Sequence, residues 1–454
     1  MLLRGPATCA GFRRRMKDLT FCAVALAAAA GMIGCSSDMP GASDEALGSA
    51  EDDLIISIGG GGDDDDDDLA ANTIDPKREL LITNLSVVED PVRTKWPAGN
   101  PVGPQAAWTF GRLMEKMAGG QDASQFCLDW LKKWEQDQTL NGFLAPARTD
   151  IQSIVIDPWL QASGGQKLNL RIAPFRLLAI VNRLDLRSKS AGKLTAGEGR
   201  FVFGFVKPDG SPSPFTLIFE YDVKADSEYD VKDWAESWHD LGEMPFGPTF
   251  NSKLQKLTDK FSNPNCLGRP NNSCLNQIRT NEVSLDPNKI WELREYRIAG
   301  NPGKIVPAPM VLTPDGGYNG SSDLADYINT NAALINQRQH SMAPTMLAAS
   351  SFASLLTPWD APGITDSEAR HNFALLTCNG CHTSETGTTF THVKNRAAGV
   401  ESKLSGYMTG ITVNDPVSGV SRTFNELASR AQDMAFVLNN DDDDLFPGVD
   451  DDDD

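Results

Sequence analysis

Five consecutive residues, Cys378-Asn379-Gly380-Cys381-His382, place two thiols one helical turn apart and an imidazole directly after the second. C-x-x-C-H is the attachment pattern of a c-type haem. The thiols add to the two vinyl groups of the porphyrin, and the adjacent imidazole is thereby held under the iron as proximal ligand. Covalent attachment retains the cofactor outside the cell, where lost haem is not replaced. The chain carries one such motif, so one haem c is expected, on Cys378 and Cys381 with His382 on the iron. A bare C-x-x-C also serves as a redox dithiol or as half of a zinc site. A zinc or structural site would use Cys378, Cys381, His382 and His392. No second C-x-x-C exists, which excludes a four-cysteine zinc ribbon, and a thioredoxin-like dithiol lacks its βαβ surroundings.

Two residues compete for the distal iron position. His392 lies ten residues after His382 in TTFTHV, and Met408 lies in GYMTG before the last helix. Methionine raises the potential relative to histidine, within a tuning range of roughly 0.8 V. Met434 falls on an apolar helix face and reads as core. His239, His340 and His371 read as structural, although His371 can share the haem-facing side of the helix that leads into the motif. Elsewhere, Asn182, Arg183, Asp185 and Arg187 cluster in RLLAIVNRLDLR, and GEGR and QIRTNE add more paired charges. Such groups build either a substrate pocket or, more often, a satisfied buried network. No G-x-S-x-G, P-loop, H-E-x-x-H or dinucleotide fingerprint appears.

The compartment follows from the start of the chain. Arg13, Arg14, Arg15 and Lys17 precede the apolar run Leu19 to Ala30, whose 12 residues fall short of the ~20 that span a bilayer. This reads as a secretory signal over residues 1–34. Met32-Ile33-Gly34-Cys35 then resembles a lipobox, so Cys35 is expected to be lipidated and to anchor the protein to a membrane, the outer membrane by the non-acidic Ser36. Cys9 and Cys22 would leave with the signal. Cys266 and Cys274, in NPNCLGRPNNSC, suit a local disulfide in an exported protein. Cys127 shares a helical face with Phe126, Trp130, Leu131 and Trp134 and reads as a buried thiol.

The net charge of −20 is concentrated in three aspartate runs, Asp63–Asp68, Asp441–Asp444 and Asp450–Asp454. Such runs stay solvated and lack the interleaved order of a calcium loop. With no basic stripe, nucleic acid is excluded as a partner. The expected partner is a redox protein or small molecule.

The elements that must position the motif divide into an α+β large module followed by a small, mostly α, cytochrome c-like domain. Residues 35–75 read as a Gly/Asp-rich tether. In 76–345, helices are expected near 104–118 and 123–136, and strands in 168–184, 200–206 and 214–223. Lys207-Pro-Asp-Gly-Ser-Pro-Ser-Pro214 makes the last two a hairpin. Helices near 231–241 and 250–262, strands near 290–298 and 304–313, and a helix near 322–336 follow. The haem domain, 346–440, is expected to open and close with helices started by capping boxes at Thr365–Glu368 and Thr423–Glu426. The acidic tail occupies 441–454.

At RLLAIVNRLDLR, GEGRFVFGF, LNQIRTNE, WELRE and LLTCNGCHTSETGTTFTHV, the chain resembles a family of predicted myxobacterial lipoproteins, over roughly residues 78 to 438. The resemblance implies a cytochrome-like C-terminal segment behind a module of unknown role, and no substrate. It further implies a histidine where His392 stands and often a leucine at Met408, so His392 leads as distal ligand. The expected function is electron transfer by a membrane-anchored mono-haem lipoprotein. The alternatives are a haem-dependent oxidase or peroxidase-like enzyme, or a non-redox surface protein with a zinc-stabilised domain.

Overall fold

The computed structural model describes residues 73–190, 193–352 and 358–446. The signal, Cys35, nearly all of the tether and the last aspartate run lie outside the described residues.

Nine strands form one antiparallel sheet: β1 (Leu81–Ile82), β2 (Phe175–Arg183), β3 (Ser188–Ser190), β4 (Lys193–Val206), β5 (Pro212–Ala225), β6 (Leu275–Glu282), β7 (Glu292–Ala299), β8 (Lys304–Ala308) and β9 (Ser351–Phe352). The order is β1-β2-β4-β5-β6-β7-β8, with β3 on β4 and β9 on β7. The expected hairpin is β4–β5, longer than its apolar runs. Its turn closes through Gly210 N–H to the Lys207 carbonyl, and Gly210 holds φ +84°. Helices pack beside the sheet without alternating with its strands, so the fold is α+β.

Strand register gives the sheet two unlike faces, because directly paired residues share a side. On one face Phe201 pairs with Phe219, Phe219 with Ile278, and Ile278 with Tyr296. Helix α1 (Phe110–Ala118) lays Phe110 on it, stacked on Phe175 at 4.4 Å. Helix α2 (Ala123–Leu131) brings Trp130 against Tyr296, and α4 (Pro248–Ser262) brings Phe261 against Phe201. Beside α4 packs α3 (Glu228–Gly242), with Trp234 against Phe261 and Trp238 buried. Each such buried aromatic contributes about 1.5–3 kcal/mol. Cys127 is buried in the same layer, and Cys266 is joined to Cys274 by a disulfide.

The opposite face is polar. Arg183 pairs with Glu198, Arg200 with Glu220, Glu220 with Gln277, and Arg279 with Glu295. It is covered by the C-terminal segment: α6 (Ser367–Leu376), α7 (Cys378–Cys381), α8 (Gly406–Thr409), the hairpin of β10 (Ile411–Asn414) and β11 (Ser421–Phe424), and α9 (Glu426–Asn439). Asn395 anchors it by donating to the carbonyls of Phe205 and Ser213 at 2.8 and 2.7 Å. The strand residue beneath must be glycine, since a Cβ on Gly204 would lie 2.1 Å from Asn395 Oδ1. Buried Arg396 bonds the Leu177 carbonyl and Glu89. Met408, Leu427, Ala431 and Met434 join the same core as the sheet phenylalanines.

Several expectations change. Neither capping box forms. Helix α6 is capped by Asp366, which accepts from Glu368 and Ala369 N–H, while Thr365 is drawn away to Asn329. Helix α9 is capped by Asn425, because Thr423 is taken into β11 beside Thr412. The 104–118 helix begins only at Phe110, and 322–336 breaks at Asn331 into α5 (Ser322–Thr330) and a short turn, Ala332–Asn336. The 304–313 strand ends at Ala308. The acidic tail does not leave the body at 441: Leu445 is buried, and Arg187 donates to its carbonyl at 3.1 Å.

Candidate cofactor site

Helix α6 delivers the motif to the polar face. Thr377 ends that helix and caps the next turn, its hydroxyl accepting from Gly380 N–H at 3.1 Å. Gly380 is required, because a Cβ there would sit 2.1 Å from the Ala374 carbonyl oxygen. Cys378 and Cys381 are both free thiols. Cys378 rests against the small cluster of Trp291, Leu293, Met310 and Ala348.

His382 is held by three residues the sequence reading did not single out. Its Nδ1 lies 3.0 Å from the Phe390 carbonyl oxygen. A carbonyl only accepts, so this nitrogen carries the proton and Nε2 presents its lone pair. The same carbonyl accepts from Asn281 Nδ2, and Asn281 Oδ1 in turn accepts from Trp291 Nε1. Trp291 stacks on the Phe390 ring at 5.6 Å. Asn281 and Trp291 come from LNQIRTNE and WELRE, so these motifs support the histidine of C-x-x-C-H.

Burial pushes His382 down to about 4, despite the Phe390 bond. Burial, followed by the proximity of His382, holds His392 well below the ordinary imidazole range. Both rings are therefore neutral at pH 7 and available as ligands. Burial pushes the Cys381 thiol up to about 12 and raises Cys378. Catalytic dithiols depend on a lowered pKa, the opposite direction.

The surrounding polar face is a ladder of ion pairs. Arg183 binds Asp185 at 2.7 Å, Arg200 binds Glu198 at 2.6 Å and Glu220 at 3.2 Å, and Arg279 reaches Glu220 and Glu295 at 3.4 Å each. Arg430 adds Glu426 at 2.9 Å. Burial raises Glu295 toward its neutral form, whereas Arg183 and Arg430 overcome burial to hold Asp185 low. These groups are enclosed by protein, yet Arg279 keeps 23% of its side-chain surface and Arg183 14%. Cys378, Cys381, His382 and His392 are likewise enclosed and only half-buried. All of them lie where the C-terminal segment meets the polar face of the sheet.

The distal candidates are not placed across from His382. The His392 ring lies beside it, centroids 4.3 Å apart, so no macrocycle fits between the two as they stand. His392 Nε2 is 3.4 Å from Cys381 Sγ, and its Nδ1 is 2.9 Å from Ser405 Oγ. Met408 is 3% exposed within the main core.

His371 sits in a buried ion cluster, 2.5 Å from Glu385 and 3.3 Å from Asp415. Among the described residues, these three form the one group of potential ligands gathered within 4.8 Å of one another. Arg370 Nη2 lies 2.6 Å from both carboxylates, so a guanidinium already supplies the cation there. Cys378, Cys381, His382 and His392 are not gathered in that way, which disfavours a closed tetrahedral zinc site. His239 pairs with Glu79 at 2.9 Å, and His340 is buried against Tyr327 and Phe373.

Comparisons with models of protein families, with curated proteins and with solved structures gave no match.

Proposed function

We propose that this chain is a mono-haem electron-transfer protein, with haem c bound through Cys378 and Cys381 and His382 as proximal ligand. The observation that supports the reading is the tautomer lock: Phe390, Asn281 and Trp291 fix the Nδ1–H of His382 and leave the Nε2 lone pair free, in a turn whose two cysteines are free thiols. Hydrogen-bonded support of this kind is the usual partner of a metal-ligating histidine. Haem bound there would supply a one-electron iron couple. The chain's own residues orient the ligand, enclose the site and set its charge. Lipidation at Cys35 would hold the protein on the outer membrane. Among the described residues no helix is long and apolar enough to cross a membrane.

A second reading, a haem-dependent oxidase or peroxidase-like enzyme, is favoured by one observation: neither His392 nor Met408 stands opposite His382. Both readings are tested on protein matured in its native membrane. After acid-acetone extraction, a pyridine haemochrome of c type should remain in the wild type and be lost in the double variant Cys378→Ala, Cys381→Ala. Reduced protein that does not bind carbon monoxide supports electron transfer; ready binding supports the enzyme. Absence of covalent haem sinks both and turns attention to zinc.

A further inference from the structure

Helix α6 carries a second histidine, His371, that the haem reading does not use. Its Nδ1 lies 2.5 Å from Glu385 and 3.3 Å from Asp415. Arg370 Nη2 donates to both carboxylates at 2.6 Å. A carboxylate so held only accepts, so His371 Nδ1 carries the proton. Asp415 is fixed further by the backbone N–H groups of Val417 and Ser418, at 2.9 Å each. The ring is 3% exposed. Its Nε2 has no partner among the described residues and is not sealed in, unlike both nitrogens of His340. His371 forms part of the wall of a polar cleft of about 390 Å³, within the size range of small-molecule sites, roughly 300–1,000 Å³. Tyr407 and Phe424 give the cleft an aromatic side, and Asn372 adds an amide.

The charges around the cleft leave one cation over. Glu368 pairs with Arg422 at 2.7 Å and Glu426 with Arg430 at 2.9 Å. Arg338, exposed on the same lining, has no carboxylate partner among the described residues. Its backbone is also unusual for an arginine. Gln339 N–H bonds the Leu334 carbonyl at 2.8 Å, and Arg338 N–H bonds the Ile335 carbonyl at 3.0 Å. This pair of bonds closes a helical turn around a left-handed residue that is usually glycine. Arg338 takes that place with φ +58°. The turn would close with less strain on glycine, so the turn does not account for the arginine.

We propose that the cleft binds a small hydroxylated anion, a sugar acid or a sugar phosphate, with Arg338 on its charged group and His371 Nε2 on one of its hydroxyls. A guanidinium fork matches the paired oxygens of either anion. A hydroxyl both donates and accepts, so it suits the one ring nitrogen that the buried carboxylates leave open. The less polar face of a sugar ring lies on Tyr407 and Phe424. The proposal does not depend on the haem reading.

Isothermal titration calorimetry of the full-length protein with D-glucuronate, D-glucose 6-phosphate and D-glucose separates the sources of the charge. At least one of the two anions is expected to bind, and glucose to bind about tenfold more weakly or not at all, the scale of one hydrogen bond to a charged group. Arg338→Gly removes the cation and relieves the turn. It should melt no lower than the wild type and bind the anion about tenfold more weakly. His371→Asn keeps an N–H for Glu385 and removes Nε2, and should weaken binding to a similar degree with Arg338 in place. No binding of either anion, or wild-type affinity in Arg338→Gly, would overturn the proposal. Glucose binding as tightly as the anions would overturn the role of the charge. Wild-type affinity in His371→Asn would overturn the role of Nε2 and leave His371 a member of the buried ion cluster alone.

Discussion

Asn281 and His382 share one acceptor, and that sharing has a measurable sign. Both side chains donate to the Phe390 carbonyl oxygen. Removing one donor strengthens the other bond, which in the proposed haem protein would make the imidazole a stronger donor to the iron and favour the ferric state. Asn281→Ala should therefore lower the midpoint potential; a tenfold change in the ferric-to-ferrous ratio corresponds to roughly 60 mV for one electron. An increase in potential on redox titration would show that Asn281 holds the carbonyl in place instead of competing for it. His340 poses a different residue-level problem. It is 5% exposed, and neither ring nitrogen has a hydrogen-bond partner. Burial lowers its pKa below the ordinary 6.5. The unfolded chain therefore binds the proton more readily, and stability falls as pH drops below about 6.5 toward the lowered folded value. His340→Phe keeps the ring packing and removes that loss. Urea unfolding of the variant should show a flatter pH dependence between neutrality and pH 5, with a gain of about 1 kcal/mol at the acid end; equal slopes in the two proteins would refute it.

The elements were legible where one face was apolar. The β4–β5 hairpin, α3, α4 and the buried face carrying Phe126, Cys127 and Trp130 follow from periodicity and turn residues. Strand β6 was not read as a strand, because Gln277, Arg279 and Asn281 alternate on a side that is polar and yet covered. Burial there is satisfied by ion pairs and not by apolar pattern, so the usual signal is absent. The capping boxes failed for a related reason: Thr365 and Thr423 had longer-range partners in Asn329 and Thr412. The C-x-x-C-H motif was fully legible, but its support by Phe390, Asn281 and Trp291 depends on contacts about a hundred residues apart in sequence. Two element-level tests follow. Gly204→Ala drives a methyl into Asn395 and should cost about 1–3 kcal/mol by overpacking. Chemical denaturation measures it, and an unchanged midpoint would show that the C-terminal segment shifts freely on the sheet. Arg148 bridges the buried carboxylates of Glu282 at 2.8 Å and Glu292 at 2.5 Å. Arg148→Met strands Glu282 and leaves Glu292 to Arg294 alone, and should cost about 3–5 kcal/mol, whereas a loss no larger than that of an exposed arginine would mean that Glu282 is already neutralised.

At the scale of the whole molecule, the question is whether the motif belongs to a separable domain. The sequence divides near residue 346, where a small helical segment with its own motif begins. The structure gives that segment three ties to the rest. Residues 351–352 pair with β7 as a strand of the large sheet. Met408, Leu427, Ala431 and Met434 belong to the same core as Phe201 and Phe219. The ion ladder of the sheet is closed over by Glu426 and Arg430 from α9. A fragment cut at 346 would lose the packing partners of those four side chains, the Asn281 support of His382 at Phe390, and Asp185, one of the two carboxylates beside Arg430. Whole domains are stable by only about 5–15 kcal/mol, so losses of this kind are as large as the stability a fragment could have. Calorimetry of the isolated 346–446 fragment should therefore show no cooperative transition, and the large module expressed without it should expose its charged face and unfold at lower temperature than the whole chain. A cooperative transition in the fragment would establish a self-standing cytochrome-like domain and would return residues 76–345 to the role of a docking partner. Its absence would make the sheet part of the unit that holds the C-x-x-C-H turn, and would account for why the charged motifs of that module and the turn occur in one chain.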